Sequence, residues 1–143
     1  MSGRRNKMNR KLFVSIAALF SLINAVPGLV APAAVASLYG VTLDPRTLLV
    51  AQLLAVSYIG YALINWTSRT LADPAVRRGI DAANLVAWAL SAVIWIYAAS
   101  TGMTNAVGWV AAGFTVLFAL GWAYFAFADR AIGSRVVTAT RRA

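Results

Sequence analysis

Charge is absent from three long stretches of this chain, residues 12–43, 47–68 and 82–128, and that absence fixes what it can fold into. A helix needs about 20 mostly apolar residues to cross the hydrocarbon core of a bilayer. The first two stretches each supply one such helix. The third supplies two, divided by the uncharged turn Thr101–Asn105, TGMTN. The rest of the composition agrees. The chain is 61% hydrophobic and 12% charged, whereas soluble domains run roughly 45–50% apolar and about 25% charged. The sequence therefore predicts one small all-α domain, a four-transmembrane-helix bundle with spans at about 12–35, 46–67, 82–100 and 106–128. A basic leader, residues 1–11, precedes it and a basic tail, residues 129–143, follows.

The net charge is +9, carried by 13 Lys and Arg against four Asp. Its distribution orients the helices. Arg4, Arg5, Lys7, Arg10 and Lys11 precede the first span, Arg69, Arg77 and Arg78 lie between the second and third, and Arg130, Arg135, Arg141 and Arg142 follow the fourth. Only Arg46 falls in the other set of loops. Basic residues accumulate in the loops that stay inside, so the pattern predicts N-in/C-in topology. It also removes the nucleic-acid reading that a basic chain invites, and makes anionic lipid head groups the expected partners of these charges.

Asp44-Pro45 is a helix-start signal: the carboxylate accepts from orphan amides as N-cap, and proline suits the first helical position. Asp73-Pro74 repeats it, predicting a short turn through Arg78 that Gly79 ends, after which Asp81 caps the third span. The two signals sit in non-equivalent loops, which does not support an inverted-repeat transporter. In the first span, Pro27 removes a backbone hydrogen bond just beyond Asn24, so a kink or early end is expected between Ala25 and Gly28. Ala17, Ser21 and Ala25 form a small-residue stripe on which another helix can pack closely. A basic start, an apolar run and the Ala34-Val35-Ala36 site also fit a cleaved signal peptide. The length of the uncharged run favours a span, and the later helices orient alike either way.

The second span, LLVAQLLAVSYIGYALINW, carries a graded set of polar side chains, Gln52, Ser57, Tyr58, Tyr61 and Asn65. At a helical pitch Ser57, Tyr58, Tyr61 and Asn65 share an arc of about 100°, and in the third span Asn84, Trp88, Ser91 and Trp95 share about 60°. If the two stripes face each other, Asn65 and Asn84 meet near the inside end and a cleft lined by tyrosine and tryptophan opens farther out. Such a cleft suits a small lipophilic or cationic ligand, because aromatic faces attract cations. The same residues also serve as interhelical contacts, worth about 0.6 kcal/mol each on average. Asn24 is read in the same way.

Several chemistries lack their residue types. The chain has no Cys, His or Glu. That removes thiol redox chemistry, the usual haem and zinc ligands and the usual general base. No carboxylate is expected at mid-membrane, where a proton-coupled exporter needs one. The twelve-to-one charge bias is not that of a dual-topology channel. Serine hydrolysis has no activating base. No enzyme, catalytic residue, metal or cofactor is implied.

The segments LYGVTLDP and GYALINWTSR, set among four short-looped spans, resemble a group of small uncharacterised bacterial four-helix integral membrane proteins. In these a Tyr-Gly turn accompanies an Asn-Trp pair closing the second helix, which here are Tyr39, Gly40, Asn65 and Trp66. The resemblance implies a multi-pass protein of a bacterial inner (plasma) membrane and brings no activity with it. The expectation is a non-enzymatic protein acting by interaction, as accessory subunit of a membrane complex or homo-oligomer. The alternative is a binder or carrier using the cleft between the second and third spans.

Overall fold

The computed structural model describes residues 9–140, with side chains described through Phe127. The chain is all-α. Its helices are α1 (Arg10–Val30), α2 (Pro32–Leu38), α3 (Pro45–Ser68), α4 (Pro74–Ser100) and α5 (Val107–Thr140). Four stretches, Arg10–Val30, Pro45–Ser68, Pro74–Ser100 and Val107–Phe127, are long and apolar enough to cross a membrane, which makes this a multi-pass membrane protein. Two compact units divide the chain: Met1–Ala36 with Thr42–Leu71, and Ser37–Val41 with Ala72–Ala143.

The first unit is the antiparallel pair α1·α3. Ala17, Ser21 and Ala25 are buried on α1, as the small-residue stripe predicts, and Ala55 and Ala62 are buried on α3. Small side chains let two backbones approach closely, and a Cβ placed on Gly28 would lie 3.4 Å from that of Ala55. Polar bonds fix the ends of the pair. The Arg10 guanidinium donates to the Ser68 carbonyl at 3.1 Å, and Gln52 Nε2 donates to the Leu29 carbonyl at 3.2 Å.

The first span departs from expectation in where it stops. Pro27 lies inside α1, and the helix ends at Val30. The stop belongs to Pro32, because a residue before proline is pushed out of the helical region. Ala31 accordingly has φ −140° and ψ 57°, and the short α2 begins at Pro32. Leu29 sits in the last turn of α1, where carbonyls run out of intrahelical donors. Gln52 supplies one.

The second unit is the antiparallel pair α4·α5, joined by a turn of Schellman type. Gly102 has φ 74°, Met103 N donates to Ala98 O at 2.9 Å and Gly102 N donates to Ala99 O at 3.4 Å. Its core comes from Asp81, Asn84, Trp88 and Ala92 on α4 and from Ala112, Thr115, Phe118, Trp122, Phe125 and Ala126 on α5. These positions recur at three- and four-residue steps, one stripe per helix.

Three boundaries differ from the sequence reading. The Asp73 carboxylate does cap a helix, accepting from Ala75 N at 2.7 Å and Val76 N at 3.3 Å. That helix, however, runs unbroken through Gly79 to Ser100. Gly79 is not in the left-handed conformation that a helix-ending glycine adopts. Asp81 is therefore an interior, buried residue of α4 and not a second cap. α5 likewise continues past residue 128 to Thr140, so most of the expected tail is helical backbone. Near the end of the apolar part of α5, Trp122 and Phe125 are buried, whereas Tyr124 between them is exposed. The expectations for residues 1–8 and 141–143 lie outside the described residues.

Candidate functional site: the polar and aromatic stripes of the spans

Most polar side chains of the apolar helices are satisfied by their own helix. Each of six donates to the carbonyl four residues back: Ser21 to Ala17 at 2.9 Å, Asn24 to Phe20 at 2.7 Å, Ser57 to Leu53 at 3.1 Å, Asn84 to Ile80 at 2.8 Å, Ser91 to Ala87 at 2.8 Å and Thr115 to Ala111 at 3.1 Å. Back-bonding of this kind hides a hydroxyl or amide donor from lipid without needing a partner helix. It also takes that donor out of ligand recognition.

Asn65 breaks the pattern. Its side chain is completely buried in the first unit, and neither Nδ2 nor Oδ1 has a hydrogen-bond partner among the described residues. The bonds that run Arg10 to Ser68 and Gln52 to Leu29 set the register of α1 on α3. Val14 and Ala17 of α1 are fully buried in the same unit. The buried Ser68 hydroxyl donates to the Asn65 backbone carbonyl at 3.0 Å. Immediately outward, Trp66 is exposed and carries the Arg69 guanidinium 3.6 Å above its ring, and Arg69 also donates to the Trp66 carbonyl. The Asn-Trp pair that closes this helix thus splits into a buried amide and an exposed aromatic-cation cap.

The remaining residues of the α3 stripe lie on progressively more open surface. Tyr61 is half-buried, Tyr58 is 41% exposed and Ser57 is exposed. Asn24 on α1 is exposed as well. The stripe on α4 belongs to the second unit and is occupied by packing. Trp88 is buried and stacks on Phe118 with ring centroids 4.5 Å apart. Trp95 is half-buried and lies against Tyr39, with centroids 4.8 Å apart. Asn84 is buried and Ser91 half-buried. Ser57, Tyr58, Tyr61 and Asn65 are therefore brought together in one unit, and Asn84, Trp88, Ser91 and Trp95 in the other.

Two polar residues escaped the sequence reading. Gln52 points away from the α3 stripe at helical pitch, and its role depends on the broken end of α1, which only the position of Pro32 reveals. Asn105 sits in the turn before α5. Its Oδ1 accepts from Val107 N at 2.9 Å, its Nδ2 donates to Leu38 O at 2.9 Å and its backbone amide donates to Tyr39 O at 2.8 Å. The dipeptide Asn-Ala ahead of an apolar run is a cap signal that could have found the first of these bonds.

Asp44, at the start of α3, has a lowered carboxyl pKa. Its carboxyl is held below the usual range by the Thr47 amide, then by the Thr47 hydroxyl, and by the Arg46 amide. It caps α3 as the sequence predicts, and so does structural work. Against protein-family models, curated proteins and solved structures, the chain has no match.

Proposed function

We propose that this is a non-enzymatic protein of a bacterial inner membrane that acts by interaction, as accessory subunit of a membrane complex or as a homo-oligomer, with both termini inside. The observation that carries the reading is the use of the aromatic stripe. Trp88 is consumed by Phe118 and Trp95 by Tyr39, so these rings serve the α4·α5 unit. The back-bonded Ser and Asn side chains support the same conclusion, because their donors are already committed.

The interacting face is the outer side of α3. It is the least buried of the four spans, at 11% of its apolar window. Ser57 and Tyr58 are exposed there among Leu53, Leu54 and Val56. A neighbouring protein helix packs on such a face through van der Waals contact.

Native mass spectrometry of protein released in its own membrane patch tests the reading. A second copy or another polypeptide should remain bound, and Tyr58→Leu should weaken that association. A single chain that carries a small non-phospholipid molecule and no polypeptide would overturn it in favour of a binder or carrier.

A further inference from the structure

A groove of about 330 Å³ opens on the second unit between the first turns of α4 and the end of the apolar part of α5. Its walls are Ala75, Arg78, Gly79 and Ala82 from α4 and Ala126 and Phe127 from α5. We propose that this groove holds one anionic phospholipid, its phosphate on Arg78 and the start of an acyl chain on Gly79, Ala82 and Phe127.

Depth is the first argument. α4 has 27 residues, which at about 1.5 Å per residue gives about 40 Å, longer than the roughly 30 Å hydrocarbon core. The excess is the amino-terminal stretch, which carries Arg77 and Arg78. From Ala82 onward α4 is uncharged through Ser100, and α5 is uncharged from Val107 through Phe127. The groove therefore straddles the boundary between head groups and acyl chains, with the cation at one end and apolar walls at the other.

The second argument is the state of Arg78. Its Nε donates to the Pro74 carbonyl at 3.1 Å, which lays the guanidinium back along the helix. Its Nη groups have no partner among the described residues. An arginine fork fixed at one nitrogen, whose other nitrogens no described residue engages, matches the bidentate bonds that phosphate accepts. The nearest capping acid, Asp73, is engaged with the amides of Ala75 and Val76.

The third argument is Gly79. Glycine is among the poorest helix formers, and this one lies inside a helix. It has no left-handed φ, and a Cβ added to it would meet nothing within 4 Å. No described residue requires a glycine there, and the missing side chain opens the wall of the groove. Gly60 and Gly113 are equally open, yet both lie in uncharged stretches. Among the described helical glycines, only at Gly79 does the open space adjoin a cation.

The inference does not depend on a partner chain. It is tested on the full chain in mild detergent, offered equal amounts of phosphatidylglycerol and phosphatidylcholine with the same acyl chains, with bound lipids counted by native mass spectrometry. One phosphatidylglycerol should be retained in preference, because both lipids offer a phosphate to Arg78 but the choline ammonium cancels its charge, whereas the glycerol hydroxyls leave the negative charge for the guanidinium. Arg78→Gln should abolish the preference. Gly79→Leu, which adds helix propensity and fills open space, should lose that lipid, whereas Gly113→Leu should keep it. Equal retention of the two lipids by the parent protein, or parental retention by Gly79→Leu, overturns the proposal. So does a dimer that Gly79→Leu dissociates without changing the lipid count, which would assign the groove to a second copy.

Discussion

The backbone amide of Asn105 donates to the carbonyl of Tyr39 at 2.8 Å, and the Asn105 side chain donates to the Leu38 carbonyl at 2.9 Å. One residue therefore holds the end of α2 against the start of α5 within the second unit, while its own Oδ1 caps α5. Gly40 completes the arrangement with φ 74°, and a Cβ there would lie 3.4 Å from Asn105. Replacing Asn105 by Ala removes a cap and a clamp together. The expected loss is about 1–3 kcal/mol, from a cap worth about 1 and a hydrogen bond worth about 1. Asn105→Asp separates the two, because aspartate still caps Val107 N but cannot donate to Leu38 O. Unfolding titrations in mixed micelles should rank the parent above Asn105→Asp and Asn105→Asp above Asn105→Ala. Equal stability of all three would dissolve the clamp.

Asp44 predicts a pH dependence at the start of α3 in the first unit. Its carboxyl titrates below the ordinary aspartate value because the charged form accepts from Thr47 and Arg46. A depressed folded value means that the unfolded chain binds the proton more readily. The contribution is thus fully present above the ordinary range, near pH 4, and is lost as pH falls through the lower folded value. Melting followed by circular dichroism should show the parent losing stability in that acid window. Asp44→Asn, which keeps a capping oxygen but does not titrate there, should flatten that part of the profile. An identical slope in both proteins would place the acid sensitivity elsewhere.

The absence of cysteine makes the proposed orientation directly testable. Met103 is 61% exposed in the turn between α4 and α5, and Ala72 is exposed between α3 and α4. In intact cells, Met103→Cys should react with a membrane-impermeant maleimide and Ala72→Cys should react only after permeabilisation. The reverse pattern would invert the topology and contradict the inside placement of the twelve basic residues.

The helices that cross the membrane were legible in the sequence because their cause is local: an uncharged run of sufficient length needs no tertiary knowledge. The Asp44 and Asp73 caps were legible for the same reason, since cap and amides lie within three residues. The stops were harder. Pro27 and Pro32 carry the same signal, and packing decides which one a helix tolerates; Gly79 reads as a stop but is kept in helical conformation by the turns on either side. The stripes were legible as faces, because 100° arithmetic is local, but their partners were not. Trp88 found Phe118 and Trp95 found Tyr39 at separations that no periodicity encodes. Trp122 illustrates the limit: the same ring that suits an interface belt also fills a core, and in this chain it is fully buried.

Asn65 gives the sharpest prediction. By sequence it is an interhelical amide contact, and deleting it should then weaken the protein. In the structure both amide atoms are buried with no partner among the described residues. A buried polar group without hydrogen bonds costs about 1–3 kcal/mol, whereas an apolar group of similar volume carries no such penalty. Asn65→Leu should therefore leave stability unchanged or raise it by up to about 2 kcal/mol in mixed-micelle unfolding. Asn65→Ala should do less well, because the cavity it leaves at this fully buried position offsets the relief. A marked loss in Asn65→Leu comparable to that in Asn65→Ala would mean that the amide is hydrogen-bonded in the membrane, and the account of Asn65 as an unsatisfied group would fall.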